Sequence, residues 1–245
     1  VLGHEASGIV KKVGKNVTNL KVGDRISLEP GYPKNPDEFS KTGRYNLSDV
    51  YFCATPPDDG CLSKYYNHPA AFCYKIPDSM SLEEAAMIEP LSVGIHATNR
   101  SNVGLGSKVL ITGAGPMGMV NLMVAKAKGA SKIVVVDINK ERLDLAVKFG
   151  ATNVVHITDF NETSEALAVR ILQAFGQPEE LGNEKRLSNE YGPEVTIECS
   201  GVSTSLSAAI YSMKNGGTIM TVGRSRTFMA NVPLNFASSK EIDIK

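Results

Sequence analysis

The chain has no surplus of either charge: 26 Lys and Arg stand against 26 Asp and Glu in 245 residues. A nucleic-acid binder needs a basic surplus or stripe to meet phosphates, so no nucleic-acid partner is expected. No run approaches the ~18 apolar residues of a membrane-spanning helix, and no membrane span is expected. Cysteines are few (Cys53, Cys61, Cys73 and Cys199) and never stand as CxxC. In a chain this long they do not make a disulfide framework, which points to the reducing cytoplasm. An initiator methionine is lacking, as is a charged segment ahead of an apolar one. The chain opens on Val1-Leu2-Gly3-His4 and closes on strand-like Glu241-Ile242-Asp243-Ile244-Lys245, and it reads as a fragment.

What is present falls into two textures. Up to about residue 80, short β-rich runs such as Gly8–Gly14 and Val22–Leu28 are broken by Gly, Pro and Asp, the mark of an irregular β domain. Pro30, Pro33 and Pro36 open a long lobe that runs to Pro56-Pro57-Asp58-Asp59-Gly60. Ser81 followed three residues later by Glu84 predicts a capping box at a helix start. From Lys108 onward, apolar strands (Val109–Ile111, Ile133–Val136, Asn153–His156, Val195–Glu198, Thr218–Val222) alternate with helical stretches. Strands apolar along their whole length are buried on both faces, so an α/β fold with a doubly wound parallel sheet is expected. Domain limits are placed at 1–91 and 92–245. The polar stretch Gln177 to Tyr191 reads as an inserted surface loop.

Gly113-Ala114-Gly115-Pro116-Met117-Gly118 is a GxGxxG between a strand and the helix Met117–Lys128. Its glycines serve different ends. Gly113 makes the tight turn, Gly115 lets the backbone approach a pyrophosphate, and Gly118 lets helix and strand pack closely. The helix N-terminus supplies N–H groups and a positive dipole end for that anion. Nineteen residues past Gly118, Asp137 ends the next strand, where a carboxylate would accept the adenosine ribose hydroxyls. That carboxylate would repel a 2′-phosphate, which favours NAD over NADP. Asp137 would equally serve as an acidic cap for a helix at Asn139–Phe149. Arg142 stands either beside the adenine or as a solvated helix charge.

His4-Glu5 pairs an imidazole with a carboxylate, both ordinary zinc ligands. Gly3-His4-Glu5-Ala6-Ser7-Gly8, then Val22-Gly23-Asp24-Arg25, then the later GxGxxG, resemble the zinc-containing medium-chain alcohol and polyol dehydrogenases. Gly43–Leu47, Phe52–Gly60, Ala71–Lys75 and Ile88–Gly94 are similar to the sorbitol dehydrogenase branch, and the likeness spans nearly the whole chain outside Gln177–Tyr191.

The resemblance implies a Rossmann domain for cofactor and a partial GroES-like catalytic domain. It implies oxidation of a polyol such as sorbitol, L-iditol or xylitol to its ketose by hydride transfer to NAD, in a homotetramer. His4 and Glu5 fall at catalytic zinc ligands, Glu89 beside the metal and the substrate, and Phe52 at the substrate pocket, where an apolar core role is the alternative. Met117, Asp137 and Arg142 fall at NAD contacts, and Val222-Gly223-Arg224 on the nicotinamide side. A cysteine ligand and a substrate-contacting tyrosine would precede Val1, and an Arg-Tyr pair would follow Lys245. Many relatives hold a structural zinc by four cysteines, and the matching positions here are Lys34, Asp37, Ser40 and Ser48. None is a thiol, so one zinc per subunit is expected. The competing expectations are a xylitol or threonine dehydrogenase, a zinc-free reductase, and a non-catalytic nucleotide-binding relative. His68, His96 and His156 are read as packed or surface residues, Cys199 as unactivated, and Met117, Met119 and Met123 as helix packing.

Overall fold

The computed structural model describes residues 2–179, 190–224 and 229–245. The chain divides into two compact units, Val1–Ser92 and Val93–Lys245.

In the first unit, β1 (Ala6–Ile9), β2 (Arg25–Leu28), β3 (Gly31–Pro33), α1 (Glu38–Lys41), β4 (Val50–Phe52), β5 (Cys73–Lys75) and α2 (Leu82–Ala86) follow one another. Three strands form an antiparallel sheet in the order β1-β2-β5, and β3 pairs with β4 as a separate ribbon. The first two strands are shorter than the apolar runs that announce them. Gly23, at φ +92°, and Asp24, whose Oδ2 accepts the Lys21 N–H at 2.9 Å, turn the chain before β2 begins. Ile26, Ser27 and Leu28 are buried, and the Ser27 hydroxyl donates to the Ala85 carbonyl at 3.0 Å, so β2 is fastened to α2. Ser81 caps α2 with the expected box: its side chain accepts the Glu84 N–H, and Glu84 accepts the Ser81 N–H.

The Pro-rich lobe is less irregular than its composition suggests. The Asp37 carboxylate caps α1 by accepting the Ser40 N–H at 2.7 Å and also accepts the Ser48 hydroxyl at 2.8 Å. Lys34 pairs with Asp49 at 3.1 Å. Lys34, Asp37, Ser40 and Ser48 are thus tied by hydrogen bonds and an ion pair. Helix α3 (Ile88–Arg100) carries Glu89 in its first turn and contains the boundary between the units.

The second unit alternates β6 (Lys108–Thr112), α4 (Pro116–Ala127), β7 (Lys132–Asp137), α5 (Lys140–Phe149), β8 (Asn153–His156), α6 (Ser164–Ala174), β9 (Val195–Glu198), α7 (Ser203–Ser212), β10 (Thr218–Thr221), α8 (Leu234–Ser239) and β11 (Asp243–Ile244). All pairings in its six-stranded sheet are parallel, in the order β11-β10-β9-β6-β7-β8. The period-two alternation of strand side chains divides the core into two layers. Val109, Ile111, Ile133 and Val135 face one layer with Leu122 and Leu143, while Leu110, Val134 and Val136 face the other with Ile171 and Ile210. These strands are buried on both faces, which is why their sequence runs apolar without alternation. The chain winds outward from β6 through β7 to β8, then returns to β9 on the opposite side of β6. The ends of β6 and β9 are therefore the topological switch point of the sheet, where open α/β folds bind ligands.

Two readings need adjustment. Gln177 is buried, because the chain is still closing α6 there and its N–H reaches the Leu172 carbonyl at 3.0 Å. Most of the expected loop at Gln177–Tyr191 lies outside the described residues. Met123 is 46% exposed and Met117 half-buried, so of the three methionines only Met119 packs fully into the core.

Candidate functional site

Two groups of side chains concern chemistry, one in each unit. In the first, a nitrogen of His4 and one carboxylate oxygen each from Glu5 and Glu89 all lie within 4.8 Å of one another. Among the described residues this is the one group of three or more His, Cys, Asp or Glu side chains placed to share an ion. His4 and Glu5 immediately precede β1, on a segment whose approach is fixed by Gly3. The Gly3 carbonyl accepts both the Cys61 N–H at 2.7 Å and the Cys61 thiol at 2.9 Å. A Cβ at Gly3, which sits at φ +98°, would meet Cys61 N at 2.8 Å, so only glycine admits this approach. Glu89 arrives from the first turn of α3. Burial pushes its carboxyl above the ordinary range, the His4 imidazole pulls it back, and the Glu5 carboxylate pushes it further up. Two carboxylates this close repel unless a cation stands between them, and an imidazole with two carboxylates is a donor set zinc accepts. On that test the residues fit a divalent ion.

Phe52, at the end of β4, is half-buried with its ring centroid 6.2 Å from that of His4. Gly31 lies beneath it: a Cβ there would meet the Phe52 ring at 2.9 Å. A substrate wall and an apolar packing role both remain compatible with this position.

In the second unit, Gly113 turns at φ +92° after β6, and Gly115 is the N-cap of α4 with no side chain capping the helix. A Cβ on Gly118 would stand 1.8 Å from the Gly113 carbonyl oxygen, whereas a Cβ on Gly115 would meet nothing within 4 Å. Gly118 is therefore required by packing, and Gly115 faces the open space that an anion at the helix N-terminus would occupy. The cradle fits the diphosphate of a dinucleotide.

Asp137 is less open than its expected ribose role implies. It is 8% exposed, with one carboxylate oxygen accepting the Ala114 N–H at 2.6 Å and the other the Asn139 N–H at 2.7 Å. It ties the glycine turn to the end of β7. It does not cap α5 through its side chain; Asn139 is the N-cap and accepts the Arg142 N–H at 3.0 Å. Each Asp137 oxygen retains acceptor capacity for a hydroxyl. The Arg142 side chain is exposed on the first turn of α5, and Met117 is half-buried on the first turn of α4. Val222 and Gly223 follow β10, and both N–H groups donate to the Glu198 carbonyl, at 2.8 and 2.7 Å; Arg224 beside them is exposed.

Sequence reading missed Glu198. Its side chain is fully buried at the end of β9, and the only signal was an acidic residue closing an apolar run. His68 is half-buried and bonds the Glu29 carbonyl at 2.8 Å, and His156 bonds the Ile138 carbonyl at 3.0 Å. The Cys199 sulfur accepts from the Asn121 amide at 3.8 Å, and burial, with the Glu198 charge beside it, pushes its thiol to about 12, which leaves it inert. No helix among the described residues is long and apolar enough to cross a membrane.

Residues 116–245 match the family model described as zinc-binding dehydrogenase, and residues 1–78 match the alcohol dehydrogenase GroES-like domain. All of the chain aligns with sorbitol dehydrogenase of Ovis aries at 50% identity, covering 65% of that protein, and with sorbitol dehydrogenase of Homo sapiens at 51%, covering 64%. The chain thus spans just under two thirds of the length of these relatives. Among solved structures, an Escherichia coli oxidoreductase/dehydrogenase of unknown specificity superimposes with a TM-score of 0.85 at 35% identity, over 99% of this chain and 65% of that one. A 2R,3R-butanediol dehydrogenase from Bacillus subtilis superimposes at 0.79 and 29%, over 99% of this chain and 63% of that one. With the GxGxxG turn on a parallel sheet and the His4, Glu5, Glu89 group ahead of it, the chain belongs to the zinc-binding dehydrogenase family.

Proposed function

We propose that the protein is a zinc-dependent, NAD-linked polyol dehydrogenase that converts sorbitol or a related polyol to its ketose. The observation that carries this reading is the convergence of His4, Glu5 and Glu89 within 4.8 Å. It is supported by the 50% identity to a sorbitol dehydrogenase along the whole chain. Zinc, when bound, supplies Lewis acidity to the substrate hydroxyl, and NAD accepts the hydride. His4 and Glu5 hold the ion. Glu89, whose carboxyl is raised by burial, moves the proton released from the hydroxyl. Phe52 walls the apolar side of the substrate. In the second unit, Gly115 and the N-terminus of α4 receive the diphosphate, Asp137 accepts the adenosine ribose hydroxyls, and Met117, Arg142 and Val222–Arg224 flank the cofactor.

A cytoplasmic location is supported by the four free thiols, and a homotetramer by the resemblance alone. The test is metal analysis of the full-length protein beside NAD reduction with a panel of sorbitol, xylitol, threonine and 2,3-butanediol. The expected result is one zinc per subunit and highest kcat/KM for a polyol. Full activity after zinc removal, or no NAD-linked oxidation of any polyol, overturns the reading.

A further inference from the structure

Glu198 stands at the switch point of the parallel sheet, at the end of β9 and directly beside the end of β6. Its side chain is fully buried, and no cation pairs with it among the described residues. Hydrogen-bond donors converge on the carboxylate instead. Oε1 accepts the Thr112 hydroxyl at 3.2 Å, the Ser200 N–H at 2.8 Å, the Gly201 N–H at 3.0 Å and, in a short bond, the Ser200 hydroxyl. Oε2 accepts the Gly201 N–H at 3.2 Å, and a Cβ added to Gly223 would stand 2.8 Å from it. The Glu198 backbone carbonyl takes the N–H groups of Val222 and Gly223. One residue therefore fastens the segments that leave β6, β9 and β10.

Its place relative to a dinucleotide follows from the sheet. The diphosphate cradle is at the end of β6, and Asp137, the candidate ribose acceptor, is at the end of β7 on one side of it. A dinucleotide extended across the switch point has its other half over the ends of β9 and β10. That half carries the nicotinamide ring, positively charged when oxidised and neutral when reduced. Burying a carboxylate there with no cation beside it costs stability even with these donors in place. A fixed negative charge behind Gly223 gives that cost a return, because it attracts the oxidised ring and not the reduced one.

Resting on the dinucleotide reading above, we propose that Glu198 is a positioning residue of the cofactor site whose buried charge biases that site toward the oxidised cofactor. The experiment is titration of the full-length protein with NAD and, separately, NADH, comparing the native chain with Glu198→Gln. Glu198→Gln keeps the shape and removes the charge. The NAD dissociation constant should rise about tenfold, the scale on which a unit charge acts across a partly buried site, with NADH changing by less than about threefold. Equal weakening of both, or no change in either, overturns the proposal.

If Glu198→Gln does not fold, the double variant Thr112→Val with Ser200→Ala carries the test. It strips both hydroxyl donors while leaving the charge, so the ratio of NAD to NADH affinity should hold within about twofold of the native value even where both weaken; loss of that ratio overturns the proposal. A native chain that binds neither cofactor sinks the dehydrogenase reading with it, whereas native binding with an indifferent Glu198→Gln sinks this inference alone.

Discussion

Gly115 and Gly118 stand three residues apart in one motif, and adding a methyl group to each should have opposite consequences. At Gly118 the new Cβ would lie 1.8 Å from the Gly113 carbonyl oxygen, against an ordinary C···O contact of about 3.3 Å. Helix α4 must back away from its own turn, an overpacking cost of about 1–3 kcal/mol. Alanine returns up to about 1 kcal/mol of helix propensity over glycine, so the net loss is on the order of 1–2 kcal/mol. At Gly115 the backbone is extended, at φ −71° and ψ −176°, and the Cβ would meet no atom within 4 Å. Weaker capping by alanine, about 0.5–1 kcal/mol, is offset by about 0.4–1 kcal/mol from a less flexible unfolded chain. A domain this size moves roughly 2–4 °C per kcal/mol. Scanning calorimetry of the apo protein should therefore show Gly118→Ala several degrees below the native chain and Gly115→Ala within about 3 °C of it. NADH titration should then show Gly115→Ala weakened about tenfold or more, since a charge-assisted hydrogen bond to the diphosphate is worth about 1.5–3 kcal/mol. Unimpaired dinucleotide affinity in Gly115→Ala refutes the cradle; an unchanged Tm in Gly118→Ala refutes the packing argument.

His4→Ala should strip zinc from the full-length protein, while Glu89→Gln should retain it and lower kcat by about a hundredfold, as removal of a proton-transfer group does; elemental analysis beside steady-state kinetics separates the two. Asp137→Ala should weaken NAD and relax discrimination against NADP, and, because the carboxylate also holds the Ala114 N–H, should lower the Tm as well. An unaltered NAD-to-NADP ratio counts against the ribose assignment. Burial pushes the Lys240 ammonium down to about 8, where it donates to the Tyr211 carbonyl at 3.3 Å and, more closely, to that of Met213. The unfolded chain binds this proton more tightly than the native one between about pH 8 and 10.4, so native stability should rise with pH across that window. Denaturant melts at several pH values should show that rise in the native chain and not in Lys240→Met.

The fold was legible where one physical rule acts alone. A strand buried on both faces runs largely apolar without alternation, so β6, β7 and β9 announce themselves, and β9 spans Val195–Glu198 as expected. Ser81 and Glu84 wrote their capping box into the sequence because both partners lie within one helical turn. In the first unit the rule fails. Strands there are three or four residues long, and the turns that stop them are also fastened from far along the chain: Asp24 is held by Lys75, fifty-one positions on, at 2.8 Å. The Asp37 clasp has the same character. Its Ser40 contact can be read as a cap, but Ser48 reaches it only after the lobe has folded back, and no local pattern encodes that closure.

The candidate sites divide along the same line. GxGxxG is readable because Gly113 and Gly118 are demanded by a turn and a close contact between neighbours in sequence. His4 and Glu5 are adjacent, yet the acid that stands beside them arrives from a helix eighty-four residues later, and resemblance alone supplied that link. Asp137 was placed correctly at a strand end but with too few partners, because the Ala114 N–H that engages it belongs to a turn whose direction the sequence leaves open. Glu198 shows the limit most sharply. A glutamate at the end of Val195-Thr196-Ile197 reads as a polar stop that lets the chain surface into solvent. Here it closes the strand inward, onto donors from Thr112, Ser200 and Gly201 that the return of the chain across β6 brings together. The strand crossing that places a ligand crevice at the centre of the sheet also creates a dry position where three segments meet, and only an acceptor-rich side chain can satisfy the donors that collect there.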